Sequence, residues 1–370
     1  MLRAVVPLGG VLISLISCAP AEPALSNPRA TRVSSVPLPG PAPRGRDPNE
    51  AAALNGKCEA CHVEIALEWR GSLHARSHTD EVYQRAFAIE PLPFCQGCHA
   101  PEADASREVP ISVGEIGVAC VTCHVLGGEV VAARHGDDRP QAAQQRAPAP
   151  HPVLRDARLA TTAACAGCHE FAFPDSGARS TPELMQATVS EHARSKHRDR
   201  SCADCHMPET RHGSVSHRSH AFAGGRDAAL VQSAVKVTAE RSREGARISI
   251  TPRELGHAFP TGDLFRRLEV SAEAIGGEWQ VVTAKRRYLA RHFQRQPSPF
   301  GVVLRAATTD DRPLAAVVEV DLQLGFAAAG LPIAWRVAYQ RVEHPRSERE
   351  QDSQVEGEIE IEIGTLESRP

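Results

Sequence analysis

Aromatic side chains are scarce in this sequence: tryptophan, tyrosine and phenylalanine make up only 4% of its 370 residues. A chain of this length is enough for about two or three ordinary domains. The low aromatic content therefore indicates that something other than side chains supplies flat apolar bulk to the interior. Methionine is also rare, with three residues, and the formal net charge is only −3. Because nothing in this charge balance favours a polyanion, we expect no nucleic-acid partner.

The N-terminus lacks an apolar run long enough to cross a bilayer, although its first residues are apolar. Arg3 followed by a short apolar stretch predicts a signal peptide over residues 1–18. The stretch ends in Leu15-Ile16-Ser17-Cys18, which resembles the bacterial lipobox, so we expect lipidation of Cys18. An ordinary signal peptide with an accidental cysteine is the alternative. The lipobox predicts an exported, membrane-anchored protein on the periplasmic or outer-membrane side of a bacterial envelope.

Ten of the eleven cysteines form five Cys-x-x-Cys pairs, and a histidine follows every pair. Only Cys18 is left over, so no cysteine remains for a structural disulfide. The paired cysteines are Cys58, Cys61, Cys95, Cys98, Cys120, Cys123, Cys165, Cys168, Cys202 and Cys205. The histidines that follow them are His62, His99, His124, His169 and His206.

Cys-x-x-Cys-His is the attachment motif of c-type haem, in which both thiols bond to the porphyrin and the histidine binds the iron. Zinc ribbons also contain cysteine pairs, but they do not need a histidine after each one. Thioredoxin-like motifs occur singly in a βαβ setting, which is absent here. The sequence therefore predicts five covalently bound haems c, with the five motif histidines as proximal ligands.

Composition divides the chain after the signal peptide into three parts. Residues 19–49 are rich in proline and predict a semi-rigid tether. Residues 50–228 hold all five motifs, which leaves roughly 36 residues per haem, too few for an ordinary core. The haems must therefore form the core of a mostly α-helical or irregular domain. Residues 229–365 contain no cysteine and alternate with period two in seven runs, which predicts an antiparallel β-sandwich.

The sixth ligand of each iron decides between electron transfer and catalysis. Methionine is nearly excluded by its rarity, whereas twelve histidines lie outside the motifs. Two histidines per iron imply low reduction potentials and leave no open position. The candidate distal ligands are His74, His78, His151, His192 and His257, together with one of His212, His217 and His220. The remaining histidines, His135, His197, His292 and His344, are expected to be exposed or hydrogen-bonded.

His74 and His192 occupy matching places in a short internal repeat. Residues Ser72 to Ser77 read Ser-Leu-His-Ala-Arg-Ser, and residues Ser190 to Ser195 read Ser-Glu-His-Ala-Arg-Ser. Each copy falls in a stretch that predicts a helix, over residues 59–75 and 181–197. The repeat therefore predicts the same ligand-bearing helix used twice.

The cysteine-rich segment resembles the multihaem cytochromes related to cytochrome c-554, within the wider hydroxylamine oxidoreductase superfamily. The resemblance rests on several strings, which are Cys95-Gln-Gly-Cys-His-Ala-Pro101, Gly117-Val-Ala-Cys-Val-Thr-Cys-His124, Trp69-x-x-Ser72-x-His74, Ser201-Cys-Ala-Asp-Cys-His-Met-Pro208 and Gly256-His-Ala-Phe-Pro-Thr-Gly-Asp263. It implies closely stacked haems that form a continuous path. Neither the Cys-x-x-Cys-Lys motif of ammonia-forming nitrite reductases nor a tyrosine setting like that of hydroxylamine oxidoreductases is found.

These observations favour an electron carrier that serves respiration and exchanges electrons with redox protein partners. The alternative is an oxidoreductase that acts on a small nitrogen or sulfur compound at one five-coordinate haem. A third hypothesis makes the β-sandwich a docking module rather than a simple cover for the haems. Fold alone cannot separate them, and the decisive feature is whether every haem has a distal histidine.

Overall fold

Short helices carry the cysteine motifs. The computed structural model describes residues 36–41, 45–133, 150–174, 183–212, 215–297, 303–343 and 353–368. The helices are α1 (Pro48–Cys61), α2 (Val63–Gly71), α3 (Glu81–Ile89), α4 (Pro93–His99), α5 (Ile111–Gly114), α6 (Cys120–His124), α7 (Ala163–His169), α8 (Thr188–Ala193), α9 (Ala203–His206) and α10 (Ala228–Ser233). Cys18, His135 and His344 lie outside the described residues. None of the helices in these ranges is long and apolar enough to cross a membrane.

Aspartates cap α1, which carries the first motif, and α3, which precedes the second motif. The Asp47 carboxylate caps α1 by accepting hydrogen bonds from the backbone of Asn49 at 2.8 Å and Glu50 at 3.2 Å. Pro48 then occupies the first turn, where its missing N–H costs nothing. Asp80 caps α3 in the same way, through the backbone N–H of Tyr83.

The predicted helix over 59–75 is only partly correct. The chain is helical there, but it breaks at His62, between α1 and α2, and α2 ends at Gly71. The helix predicted over 181–197 is present only as α8, because residues Leu184–Ala187 form a strand. Its expected cap, Thr181, lies outside the described residues.

Short strand pairs connect the motif helices. They are β1 (Val125–Leu126), β2 (Glu129–Ala132) and β3 (Leu154–Arg155) in one small sheet, β4 (Glu170–Ala172) with β5 (Leu184–Ala187), and β6 (Glu209–His212) with β7 (Val215–Arg218). A small apolar cluster around the buried Trp69 side chain packs α1 and α2 against α6. The Trp69 indole N–H donates to the carbonyl of Val118 at 2.8 Å, which satisfies its one polar atom.

The C-terminal part consists of antiparallel strands. They are β8 (Val235–Arg241), β9 (Gly245–Pro252), β10 (Arg266–Ile275), β11 (Val281–Leu289), β12 (Arg291–Pro297), β13 (Val303–Asp310), β14 (Val318–Gln323), β15 (Ile333–Val342) and β16 (Val355–Leu366). The strand orders are β11-β10-β15-β16, β14-β9-β8 and β12-β13. Each of the seven alternating runs overlaps a strand, whereas β12 and β13 were not predicted.

One hydrophobic core joins the four-stranded and three-stranded sheets. The residues that enter this core alternate along β8, β9, β10 and β14, as the period-two pattern requires. Ile248 and Val320 from one sheet and Val270 and Val337 from the other are fully buried in the same cluster. Two antiparallel sheets that share a core in this way agree with the predicted sandwich.

The last part of the proline-rich segment lies against the motif helices. Its Val36 carbonyl accepts a hydrogen bond from Arg158 at 2.6 Å. Arg46 donates to the buried carboxylate of Glu102 at 3.0 Å and to the Val125 carbonyl at 2.6 Å. Residues 36–41 and 46 therefore belong to the folded unit that begins at Val36, and a free tether cannot extend as far as residue 49.

Candidate metal centres

Each of the five motifs lies on a short helix that ends at or immediately before the motif histidine. α1 ends at Cys61 with His62 as its C-terminal cap, and the other four helices end at the histidine itself. One helical turn brings residues three apart to the same side, so the two thiols of a motif can meet one edge of a planar group. We number the sites 1 to 5 in chain order, and their motif histidines are His62, His99, His124, His169 and His206.

A second imidazole faces the motif histidine at four of the five sites. The ring centroids are 6.0–6.4 Å apart in every case. The pairs are His62 with His151 at site 1, His124 with His220 at site 3, His169 with His74 at site 4, and His206 with His257 at site 5.

This spacing fits a metal ion held between two imidazoles. A bond from a transition metal to an imidazole nitrogen is about 2 Å long. Two imidazoles on opposite sides of one ion therefore have ring centroids roughly 6 Å apart. The four pairs have that separation, so their residues fit the axial positions of a haem iron.

Hydrogen bonds at Nδ1 leave Nε2 available for the metal. The Nδ1 atoms of His124 and His206 lie 2.8 and 2.7 Å from the carbonyl oxygens of Val131 and Ala223. Nδ1 of His220 lies 2.8 Å from the Arg218 carbonyl. An N–H at Nδ1 that donates to a carbonyl fixes the tautomer with a free Nε2 lone pair, as metal-binding histidines require.

Burial favours the neutral, metal-binding form of three of the imidazoles at sites 3 and 4. Desolvation lowers the pKa of His74 to about 3, and the nearby His169 contributes to the shift. It also lowers the pKa values of His169 and His220 to about 4. Because ligand histidines must be neutral, these sites are ready for coordination at neutral pH.

Site 2 is different because a tyrosine ring stacks on its motif histidine. The Tyr83 and His99 rings are 3.8 Å apart and only 10° from parallel. His78 lies beyond, with its ring centroid 5.8 Å from that of Tyr83. The hydroxyl of Tyr83 and Nδ1 of His78 are buried without a hydrogen-bond partner among the described residues. His78 thus lies close to site 2, and its role as distal ligand stays a prediction.

Comparison with known proteins agrees with this geometry. Residues 57–125, which include the first three motifs and His74, match the family described as cytochrome c554 and c-prime. Over these residues the chain therefore resembles the multihaem c-type cytochromes of the c554 family. Cytochromes of this kind transfer electrons through covalently bound haem c and are typically exported to the periplasm.

A solved structure extends the similarity over most of the chain. It is the penta-heme cytochrome c552 from Thermochromatium tepidum, which is 20% identical, with a TM-score of 0.64. The alignment covers 88% of this chain and 100% of the other. At that identity the match shows a common fold. No curated protein sequence matches this chain.

The sites of this cytochrome are close to one another. Cys98 at site 2 lies near Cys168 at site 4, and Cys165 at site 4 lies near Cys202 at site 5. Cys123 at site 3 is also near Cys165. Sites 2, 3 and 5 therefore all adjoin site 4, and Cys120 of site 3 is near Cys58 of site 1.

The imidazole that faces His206 at site 5 comes from a loop of the strand-rich part. His257 lies between β9 and β10, and its neighbours are held on both sides. Nδ1 of His192 on α8 lies 2.8 Å from the Gly256 carbonyl. Thr261 donates to the carboxylate of Glu191 at 2.6 Å, and Arg312 donates to the Pro260 carbonyl at 2.8 Å. The loop that presents His257 is thus fixed by both parts of the chain.

The two copies of the internal repeat have different surroundings. His74 faces His169, but both ring nitrogens of His192 lie 2.8 Å from carbonyl oxygens, those of Gly256 and Arg200. The structure brings His74 to a motif histidine and places His192 against the His257 loop. The predicted ligand role of His192 has no such geometric support, because its Nε2 is engaged.

Among the three histidines after the fifth motif, His220 is the one placed at a site. Nε2 of His212 lies 3.2 Å from Glu64, and Nε2 of His217 lies 3.1 Å from Glu68. The sequence alone could not choose among the three, because the choice depends on how the β6–β7 hairpin packs on α2.

The donor sets in the described ranges are pairs rather than clusters. No group of three or more histidine, cysteine or acidic side chains in these ranges is arranged to hold a metal ion. Paired imidazoles beside the motif cysteines suit an ion whose remaining positions are filled by a covalently attached macrocycle.

Proposed function

We propose that this cytochrome is an exported electron carrier with five covalently bound haems c, most of them ligated by two histidines. The single observation that carries the proposal is the set of four facing imidazole pairs at 6.0–6.4 Å. Iron with two histidine ligands has no open position, so it passes electrons and binds no substrate. The five sites would be filled by five haems, one for each motif.

The neighbouring motifs support a continuous route for electrons. Cys58 of site 1 lies near Cys120 of site 3, and site 4 adjoins sites 2, 3 and 5. Electrons would enter and leave through haems near the protein surface. Redox proteins of the envelope would be the donor and the acceptor in respiration.

We further propose lipidation at Cys18, which would hold the cytochrome at the membrane. The proposed division of the chain is a signal peptide over 1–18, a pentahaem domain over 50–228 and a β-sandwich over 229–365. The segment between the anchor and Val36 would set the distance from the bilayer. Replacement of Cys18 by alanine should release the protein from the membrane fraction, and metabolic labelling with a fatty acid should be lost with it.

Spectroscopy on the holoprotein tests the carrier function. The number of haems is measured by the pyridine haemochrome assay, and the spin states by low-temperature EPR of the fully oxidised protein. Five haems with only low-spin bis-histidine signals are the expected result. A high-spin signal that responds to nitrite, hydroxylamine or cyanide would contradict the carrier function and favour an oxidoreductase.

A further inference from the structure

Three arginines form a cluster beside sites 2 and 4. One lies shortly before the strand-rich part, and two lie within it. They are Arg226 before α10, Arg266 at the start of β10 and Arg341 near the end of β15. The positive charge of Arg266 acts on the imidazole of His169 at site 4. The carboxylates nearest the three arginines act on His99 at site 2. The arginine cluster therefore adjoins two haem sites.

The three arginines of the cluster outnumber the carboxylates that pair with them. Arg226 pairs with the carboxylate of Asp80. Arg266 lies 3.5 Å from Asp263 and donates to the Tyr339 hydroxyl at 2.9 Å. Three guanidinium groups thus face two carboxylates, and Arg341 has the weakest compensation.

Arg341 also has buried N–H donors that form no hydrogen bond within the described residues. Its Nε and Nη1 atoms are buried, and neither has a hydrogen-bond partner among the described residues. Desolvation and the like charge of Arg226 lower its pKa. A buried cation with unsatisfied donors is unfavourable unless an anion reaches it. A carboxylate oxygen is the acceptor that suits such a donor, because hydrogen bonds between two charged groups are the stronger kind.

Two glycines keep the space around the arginine cluster narrow. A Cβ atom on Gly225 would lie 2.5 Å from the Tyr339 hydroxyl and 3.3 Å from Nη1 of Arg266. A Cβ on Gly262, whose φ is +116°, would lie 2.7 Å from Nε of Arg266. Only glycine allows the guanidinium groups to be packed so closely against the backbone.

We propose that Arg341, supported by Arg226 and Arg266, binds a propionate carboxylate of the haem at site 2 or site 4. The inference rests on haem occupying these two sites. A porphyrin propionate supplies carboxylate oxygens of this kind, and covalent attachment of the haem would hold them beside the cluster. The strand-rich part would then neutralise haem carboxylates as well as cover the haems.

Substitution of Arg341 in the full-length holoprotein tests the inference. Arg341→Gln removes the charge at similar volume, Arg341→Lys retains it, and Arg247→Gln removes an exposed arginine that pairs with Asp321. The readout is a spectroelectrochemical titration with the haem number checked by pyridine haemochrome. In Arg341→Gln one of the components should move to lower potential, because an uncompensated carboxylate disfavours the added electron. Arg341→Lys should shift that component less, and Arg247→Gln should match the wild type.

Resonance Raman spectroscopy provides a second readout in case Arg341→Gln does not fold. Arg341→Lys replaces the planar guanidinium by a compact ammonium with different donor directions, so one propionate bending band should move relative to the wild type. Unchanged potentials in Arg341→Gln, or unchanged propionate bands in Arg341→Lys, would overturn the inference. It would also be overturned if added phosphate shifted the wild-type component and Arg341→Gln abolished that response, because the cluster would then bind a free anion.

A separate measurement distinguishes missing haems from a wrong role for Arg341. Peptide mass spectrometry of the wild-type protein reports whether the peptides with Cys98 and Cys168 carry haem. Their absence would refute five-haem loading itself, whereas full loading with unmoved potentials would refute only the role of Arg341.

Discussion

Glu191 and Arg312 form an ion pair at 2.6 Å in which both side chains are almost completely buried. Glu191 lies on α8 in the motif region, and Arg312 follows β13 in the strand-rich part. Thr261 donates to the same carboxylate at 2.6 Å. The pair therefore joins the two parts of the chain directly behind the loop that presents His257.

Removal of one partner of this pair should destabilise the fold strongly. Arg312→Gln leaves the buried carboxylate of Glu191 without its cation, which costs about 3–5 kcal/mol. Glu191→Gln should cost less, because Arg312 keeps its ion pair with Asp310 at 2.7 Å. Denaturant unfolding followed by circular dichroism measures the change. Arg247→Gln breaks an exposed pair and is the control, with a midpoint expected to equal that of the wild type. Equal midpoints for Arg312→Gln and the control would show that the pair contributes nothing.

His257 and His192 should respond differently to substitution. His257→Ala removes the imidazole that faces His206, so one haem should change from low-spin to high-spin in EPR spectra of the ferric protein. His192→Asn retains a donor for the Gly256 carbonyl and should leave every haem low-spin. Loss of a low-spin signal in His192→Asn alone would instead identify His192 as the ligand.

His220 and His212 form a second matched pair of substitutions. His220→Ala should convert the haem of site 3 to high spin, because His220 faces His124 at 6.1 Å. His212→Ala should leave the spectrum unchanged, since His212 is exposed and pairs with Glu64. Binding of exogenous imidazole should restore the low-spin signal only in His220→Ala. A spectral change in both variants would argue against the assignment.

The glycine of the fourth motif should control how the N-terminal segment packs. A Cβ on Gly167 would lie 2.6 Å from the Pro39 carbonyl oxygen and 2.8 Å from Cα of Gly40, so Gly167→Ala should displace residues 36–41. Haem attachment itself tolerates alanine there, because Ala60 holds that place in the first motif. Tryptic cleavage after Arg46 should become several-fold faster.

Gly56→Ala is the control for that experiment, because a Cβ on Gly56 would meet no atom within 4 Å. Alanine also favours the helix at this place in α1. Trypsin should cleave Gly56→Ala no faster than it cleaves the wild type. Equal rates for Gly167→Ala and Gly56→Ala would show that the segment does not depend on contact with the fourth motif.

Two strands escaped prediction for a clear reason. β12, Arg-His-Phe-Gln-Arg-Gln-Pro, and β13, Val-Leu-Arg-Ala-Ala-Thr-Thr-Asp, form a two-stranded ribbon of their own. Neither alternates as β9 or β10 does, because a ribbon outside the main sheets does not need one continuous apolar face. The strands that line the shared core were predictable, since burial of one face dictates period two.

The sequence by itself determined the haem-attachment motifs, because both thiols and the histidine lie within five consecutive residues and one helical turn arranges them. Only the tertiary structure decided which imidazoles face the motif histidines. His220 lies 96 residues from His124, and His257 reaches site 5 from a different part of the fold. The repeat around His74 and His192 makes the same point: similar local sequences acquire different surroundings, because long-range packing selects what lies opposite a motif histidine.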